Sequence, residues 1–152
     1  MILSGKHIRE YNIITPHEPR TRFGGVSYGE GPAGYDIRTA QKIKLDAGST
    51  TLAVSLEHFT MPNNILGLVK DKSTWARQGI FVQNTVIEPG WRGFLTLEVS
   101  FTPLIGTYEQ FYTVLNGVGI AQIIFFRIDG QVEAYEGKYQ DQGKDATPAI
   151  FE

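Results

Sequence analysis

A mainly β fold is what this 152-residue sequence predicts, and three observations predict it. Seventeen glycines and seven prolines punctuate apolar runs only a few residues long, the pattern of many short strands joined by tight turns. Thr51-Leu-Ala-Val-Ser-Leu56 alternates polar and apolar side chains, as a strand with one buried face does. Ile120-Ala-Gln-Ile-Ile-Phe-Phe126 is almost continuously apolar, which predicts a strand covered on both faces.

Taken in order, Ser4-Gly-Lys-His-Ile-Arg-Glu10 opens a short N-terminal helix with Ser4 as its N-cap. Residues 16–35 are rich in Pro, Gly and charge and are expected to form a loop. Gly34-Tyr-Asp-Ile-Arg38 enters a strand, with Asp36 and Arg38 expected as surface charges. Strands are expected at Thr51–Leu56, Ile65–Lys70, Ile80–Gln83, Gly93–Phe101 and Ile120–Ile128, with a short helical turn at Ser73–Gln78. The chain after Tyr135 turns polar and glycine-containing, so residues 135–152 are expected to form a mobile C-terminal arm. No internal repeat and no linker divides the chain, so 1–152 is expected to be a single domain.

Composition removes several function classes. A net charge of −2 gives no reason to expect a nucleic-acid polymer as partner. With no cysteine, disulfides, Cys-ligated zinc and the cysteine-containing zinc deaminase signature are all impossible. His7, His17 and His58 lack the spacing of a histidine metal site, so no protein-ligated metal is expected. No run approaches the ~18 apolar residues of a membrane span, and Met1-Ile-Leu-Ser4 has no basic lead-in of a signal peptide. A cytoplasmic location is the expectation.

Chemistry concentrates in two segments. Glu88-Pro-Gly-Trp-Arg-Gly-Phe-Leu-Thr-Leu-Glu98 places two carboxylates ten residues apart in a strand-rich stretch. Strand alternation puts Glu98 on the face of Thr96 and Ser100, opposite Leu97 and Val99. There it is either a solvated strand carboxylate or a partly desolvated glutamate suited to general acid/base work. Glu88 precedes the turn dipeptide Pro89-Gly90, and is either a turn residue or a holder of a sugar hydroxyl or water. Upstream, Lys72-Ser73-Thr74 with Arg77 gathers two cations and two hydroxyls at a helix start, suited to phosphate or to an ordinary capped surface helix. It is not a Walker loop, and no nucleophile elbow or triad is present.

Six segments in order resemble the motifs of the dCTP deaminases, within the trimeric dUTPase-like superfamily. They are Met1-Ile-Leu-Ser4, Ser27-Tyr-Gly29 with Gly34–Arg38, Lys72-Ser-Thr-Trp-Ala-Arg-Gln-Gly79, Glu88-Pro-Gly-Trp91 with Thr96-Leu-Glu98, Gly119-Ile-Ala-Gln122, and Gly137-Lys-Tyr-Gln-Asp-Gln142. The resemblance implies a distorted β-barrel or jelly-roll of the dUTPase-like (β-clip) type, assembled as a homotrimer with active sites between subunits. It implies deamination of dCTP to dUTP and ammonia without zinc, with Mg²⁺ arriving on the nucleotide triphosphate. Glu98 would be the general acid/base, with Ser73 and Arg77 orienting the water and the glutamate, Arg77 from across a subunit boundary. Lys72, Thr74, Lys138 and Gln142 would contact the triphosphate. Glu88 and Trp91 would lie beside the sugar and base, and the backbone of Thr96 and Leu97 against cytosine. Gln122 and Tyr135 also match substrate-binding positions, and the arm would close over the nucleotide.

The chain departs from the family in being short, in trimmed loops, and in Phe101 where an asparagine is common. Two other functions stay open. Ala33-Gly-Tyr-Asp36 also resembles a dUTPase motif, so a dUTP diphosphatase or a bifunctional enzyme releasing dUMP and diphosphate is the first. A non-catalytic nucleotide-binding regulator is the second. Glu98 is the main discriminator, because dUTPases tend to carry an apolar residue there.

Overall fold

The computed structural model describes residues 1–151, and among them the chain is mainly β. In order the elements are α1 (Gly5–Glu10), β1 (Ile14–Thr15), β2 (Thr21–Phe23), β3 (Val26–Glu30), β4 (Tyr35–Arg38), β5 (Ile43–Asp46), β6 (Thr50–Thr60) and β7 (Ile65–Asp71), followed by α2 (Ser73–Ala76), β8 (Ile80–Val82), β9 (Val86–Ile87), β10 (Arg92–Phe101), β11 (Phe111–Val114) and β12 (Gly119–Arg127). They form a six-stranded sheet in the order β2-β3-β4-β12-β7-β9, a four-stranded sheet β1-β6-β10-β8, and the pair β11-β5. Every strand pairing is antiparallel.

One apolar cluster draws on all three sheets, with Phe59, Leu97 and Val99 from the four-stranded sheet, Tyr35, Val69 and Phe125 from the six-stranded one, and Leu45 and Val114 from the pair. Burying each large apolar side chain contributes about 1.5–3 kcal/mol, which makes this cluster the main source of stability. Phe101, at 2% exposure, packs into it against Tyr112.

Local chemistry explains the short helices. The Ser4 hydroxyl accepts a hydrogen bond from the His7 amide, so Ser4 caps α1 as expected. α2 ends where Gly79 adopts φ +77°, a conformation in which a Cβ would lie 1.9 Å from the Thr102 carbonyl oxygen. The expected strands are all found, each within a few residues of its predicted bounds.

Three expectations need correction. Residues 16–35 are not a continuous loop, because β2 and β3 form a hairpin through Gly24 and Gly25, both at positive φ. Glycine pairs of this kind favour the turns that join antiparallel strands, and the surrounding charge masked the short strands. β12 is covered on both faces only at its start; from Gln122 onward its second face, including Ile124 and Phe126, is half-buried. Asp36 and Arg38 are not surface charges. Asp36 is buried and takes a 2.5 Å hydrogen bond from the Lys72 ammonium. Arg38 donates through Nε to the fully buried Glu57 at 2.8 Å, and its backbone N–H donates to the same carboxylate at 2.9 Å.

Candidate active site

A pocket of about 440 Å³ opens beside the N-terminal half of β10. Its floor and walls come from Trp91, Leu95, Thr96 and Glu98 on or next to β10, from Leu52 on β6, and from Thr85–Glu88 around β9. The C-terminal arm closes one side with Tyr135, Tyr139, Gln142, Thr147 and Ala149. Strand periodicity positions the central carboxylate. Leu97 and Val99 point into the core at 1% and 0% exposure, so Glu98 between them points the other way, half-buried in the pocket. Leu97 itself, in the core, is outside the pocket's lining.

The Glu88–Trp91 turn sets the opposite wall. The Trp91 amide donates to the Glu88 carbonyl at 3.1 Å, and Gly90 takes the φ of +77° that a type II turn requires. Glu88 and Trp91 thus enter the same pocket as Glu98. The Trp91 ring is 5% exposed, and its indole N–H donates to the Tyr139 carbonyl at 2.6 Å.

The arm, far from trailing in solvent, is hydrogen-bonded along β10. Backbone N–H groups of Asp141 and Phe94 donate to the carbonyls of Arg92 and Gln142, both at 2.9 Å. Gln142 pairs with Gly93 in a parallel bridge so close that a Cβ on Gly93 would lie 2.7 Å from the Gln142 nitrogen. The Thr96 hydroxyl donates to the Gln142 side-chain oxygen at 3.2 Å and accepts from the Thr147 amide at 2.9 Å. Arg92 and Asp141 add an ion pair, exposed on both sides.

Of the residues singled out in the sequence, Glu88, Trp91, Thr96, Glu98, Tyr135 and Gln142 are brought together in this pocket. Others are not. Ser73, Thr74 and Arg77 stand exposed on and just after α2, outside the lining. Lys72 is bound to Asp36 and to the Ser27 hydroxyl, with its side chain 9% exposed. The Gln122 side chain donates to the Ala33 carbonyl at 3.3 Å, and the Lys138 ammonium donates to the Ile150 carbonyl within the arm.

Some contributors carry no signal in the sequence. Leu52, Val86, Ile87 and Leu95 give the pocket apolar walls, although each reads as an ordinary strand residue. The Arg38–Glu57 pair escaped as well, because Glu57 looks like one more polar position in an alternating strand. Burial pushes the Glu57 carboxyl up from its ordinary range, and the Arg38 hydrogen bonds pull it back only in part. Burial lowers the affinity of the Arg38 guanidinium for its proton, but Glu57 outweighs that and the net shift is upward. Burial also raises the Tyr35 phenol well above its ordinary value, against the hydrogen bond it accepts from the Glu18 amide. Among the described residues, no group of three or more His, Cys, Asp or Glu is placed to hold a metal ion.

Comparison with known proteins points in one direction. A family model described as dCTP deaminase-like matches residues 33–128. The dCTP deaminase of Nitrosomonas europaea is 36% identical over an alignment covering 98% of this chain and 99% of that one. Among solved structures, the 2'-deoxycytidine 5'-triphosphate deaminase from Agrobacterium tumefaciens matches with a TM-score of 0.62 at 19% identity, covering 82% of this chain and 47% of that chain. A dUTPase from phage phi11 of S. aureus, whose structure describes a coordinated Mg(II) ion, matches with a TM-score of 0.56 at 16% identity, covering 70% and 84%. These structural likenesses bear on the fold, and the fold is the dUTPase-like one that the sequence predicts.

Proposed function

The chain belongs to the dCTP deaminase-like family, and from that premise we propose that it hydrolyses dCTP to dUTP and ammonia. One observation carries the reading: Glu98 is half-buried in a pocket shared with Glu88, Trp91, Thr96 and the arm residue Gln142. A carboxylate so placed is partly shielded from bulk water and within one pocket of any base bound there, as general acid/base catalysis requires. Glu98 takes a proton from water, the resulting hydroxide adds to C4 of cytosine, and the proton passes to N3. Glu98 then carries the proton of the new C4 hydroxyl to the amino group, C4–N breaks as the C4 carbonyl forms, and ammonia leaves. The reaction uses no zinc, so the activation a metal supplies elsewhere falls on this carboxylate.

Thr96 and Leu97 present backbone groups to the cytosine edge, and Trp91 and Glu88 hold the deoxyribose. Gln142, Tyr135 and Lys138 bring the arm, residues 135–152 of a single-domain chain, over the triphosphate. Mg²⁺ enters as the counterion of that triphosphate. Ser73 and Arg77 orient the water and Glu98 from a neighbouring subunit of a homotrimer, with Lys72, Thr74 and Gln122 completing the substrate contacts. The exposure of Ser73, Thr74 and Arg77, outside a pocket that gathers Glu88, Trp91, Thr96, Glu98, Tyr135 and Gln142, supports this shared arrangement. A cytoplasmic location is part of the proposal; of the described residues the structure shows only that no helix is long and apolar enough to cross a membrane.

A second reading has its own observation, because Glu88 lines the same pocket as Glu98. Two carboxylates there suit a bifunctional enzyme that also cleaves the product to dUMP and diphosphate. Incubation with dCTP, and separately with dUTP, in the presence of Mg²⁺ tests both. dUTP and ammonia from dCTP are expected; dUMP from dCTP makes the enzyme bifunctional, and hydrolysis of dUTP alone overturns the role given to Glu98.

A further inference from the structure

Ser55 has no part in the reaction as proposed, yet it is polar and fully buried in the wall beside the pocket. Its position becomes informative through the β6–β10 ladder. On one side of a break, Phe94 pairs with His58 and Gly93 with Phe59; on the other, Thr96 pairs with Val54 and Glu98 with Leu52. Between them a single β10 residue, Leu95, faces three β6 residues, Ser55, Leu56 and Glu57. A bulge of this kind interrupts the ladder and leaves backbone groups in need of other partners.

The Ser55 hydroxyl fills the break. It accepts from the Leu95 amide at 2.8 Å and donates to the Glu57 carbonyl at 2.7 Å. The Glu57 carboxylate then accepts from the Arg38 backbone and side chain, which fastens the bulge to β4. The consequence lies on the pocket side. Leu95, packed in the core with Leu97 and Val99, also borders the pocket beside Thr96, and Glu98 stands two residues beyond Thr96.

We propose that Ser55 is a positioning residue for the reaction. Its hydroxyl pins the Leu95 amide, which sets how the Leu95–Thr96 backbone meets the pyrimidine and where Glu98 stands relative to C4. This inference rests on the reading of the pocket as the dCTP site. It separates two properties that a plain structural role would not, because the triphosphate contacts on the arm hold the nucleotide while Ser55 acts on the geometry of attack. Misplacing a reacting group by about 1 Å is enough to lower turnover by as much as about 100-fold.

The test is steady-state kinetics with dCTP on wild type, Ser55→Ala, Ser55→Cys and Ser55→Thr, with folded fraction and melting temperature measured for each. Ser55 borders a cavity together with Leu56, His58 and Phe94. Ser55→Thr keeps the hydroxyl, so its kcat is expected within about threefold of wild type. Ser55→Ala and Ser55→Cys are expected to lose about tenfold or more in kcat per folded molecule, with KM changed by less than about threefold. If the alanine variant does not fold, the cysteine and threonine variants carry the comparison. Unchanged kcat per folded molecule in the variants lacking the hydroxyl overturns the inference alone, as does a threonine variant no better than the cysteine one. Wild type that releases no ammonia from dCTP overturns the deaminase reading and the inference with it.

Discussion

The two segments to which the proposed reaction assigns its groups, β10 and α2, are built in opposite ways. β10 is flanked by β6 and β8, anchors its apolar side in the core, and turns Thr96 and Glu98 into a pocket closed by the chain's own arm. α2 is four residues long, buries only Trp75, whose indole N–H donates to the Gly119 carbonyl at 2.6 Å, and leaves Ser73 and Arg77 exposed. A strand buried in a sheet holds a side chain to one face, whereas a one-turn helix at the surface presents its groups outward. The difference fits the proposal, in which one chain supplies the pocket with Glu98 and the α2 groups serve a site completed by another copy.

The sharpest way to break that comparison is at its centre. Glu98→Gln is expected to lower kcat by about 10²–10⁴-fold while leaving nucleotide binding intact, because the amide fills the same space but moves no proton. Single-turnover kinetics alongside equilibrium binding measures both; normal turnover would remove Glu98 from the mechanism. Arg77→Ala is expected to be nearly as damaging. If α2 serves a neighbouring site, mixed oligomers of Glu98→Gln and Arg77→Ala regain part of the activity that neither variant has alone. No recovery on refolding the mixture would place both residues in one subunit's site.

Stability sharpens the contrast in a different respect. Removing one partner of a buried ion pair leaves the other charge uncompensated, so Glu57→Ala is expected to cost about 3–5 kcal/mol in chemical denaturation. Lys6 with Glu10 on exposed α1 makes the control, since breaking a surface pair of that kind costs about 0–1 kcal/mol.

The smaller effects lie in the arm. Gly93→Ala places a methyl against Gln142 and is expected to raise KM for dCTP by displacing the arm, with the fold retained in circular dichroism. Unchanged KM would mean that the Gly93–Gln142 contact does not hold nucleotide. Lys138→Ala is expected to weaken triphosphate affinity by a few-fold and leave kcat alone; a fall confined to kcat would show that Lys138 does not act through binding.

Much of the architecture was legible beforehand. The period-two pattern of Thr51–Leu56 and the placement of Glu98 opposite Leu97 and Val99 follow from strand geometry, which is local. So does the Ser4 cap and the turn at Pro89-Gly90. The hairpin at Thr21–Glu30 was missed because its strands are three and five residues long and mostly polar, so they carry little periodicity. The partner of Lys72 is not legible in the sequence, because Asp36, which the structure pairs with it, lies thirty-six positions away.

By itself, the sequence determined the mainly β class, the positions of the long strands, the family, and the face of β10 on which Glu98 stands. These depend on side-chain period, turn residues and motif order, all short-range properties. Only the tertiary structure decided that Glu57 is buried against Arg38, that the arm lies along β10, and that Ser55 fills a break in the β6–β10 ladder. Each of those joins residues roughly twenty to fifty positions apart, and each depends on which strands become neighbours. Polar groups are driven to such partners because burial without one is costly, and the identity of the partner is set by packing rather than by the residues on either side.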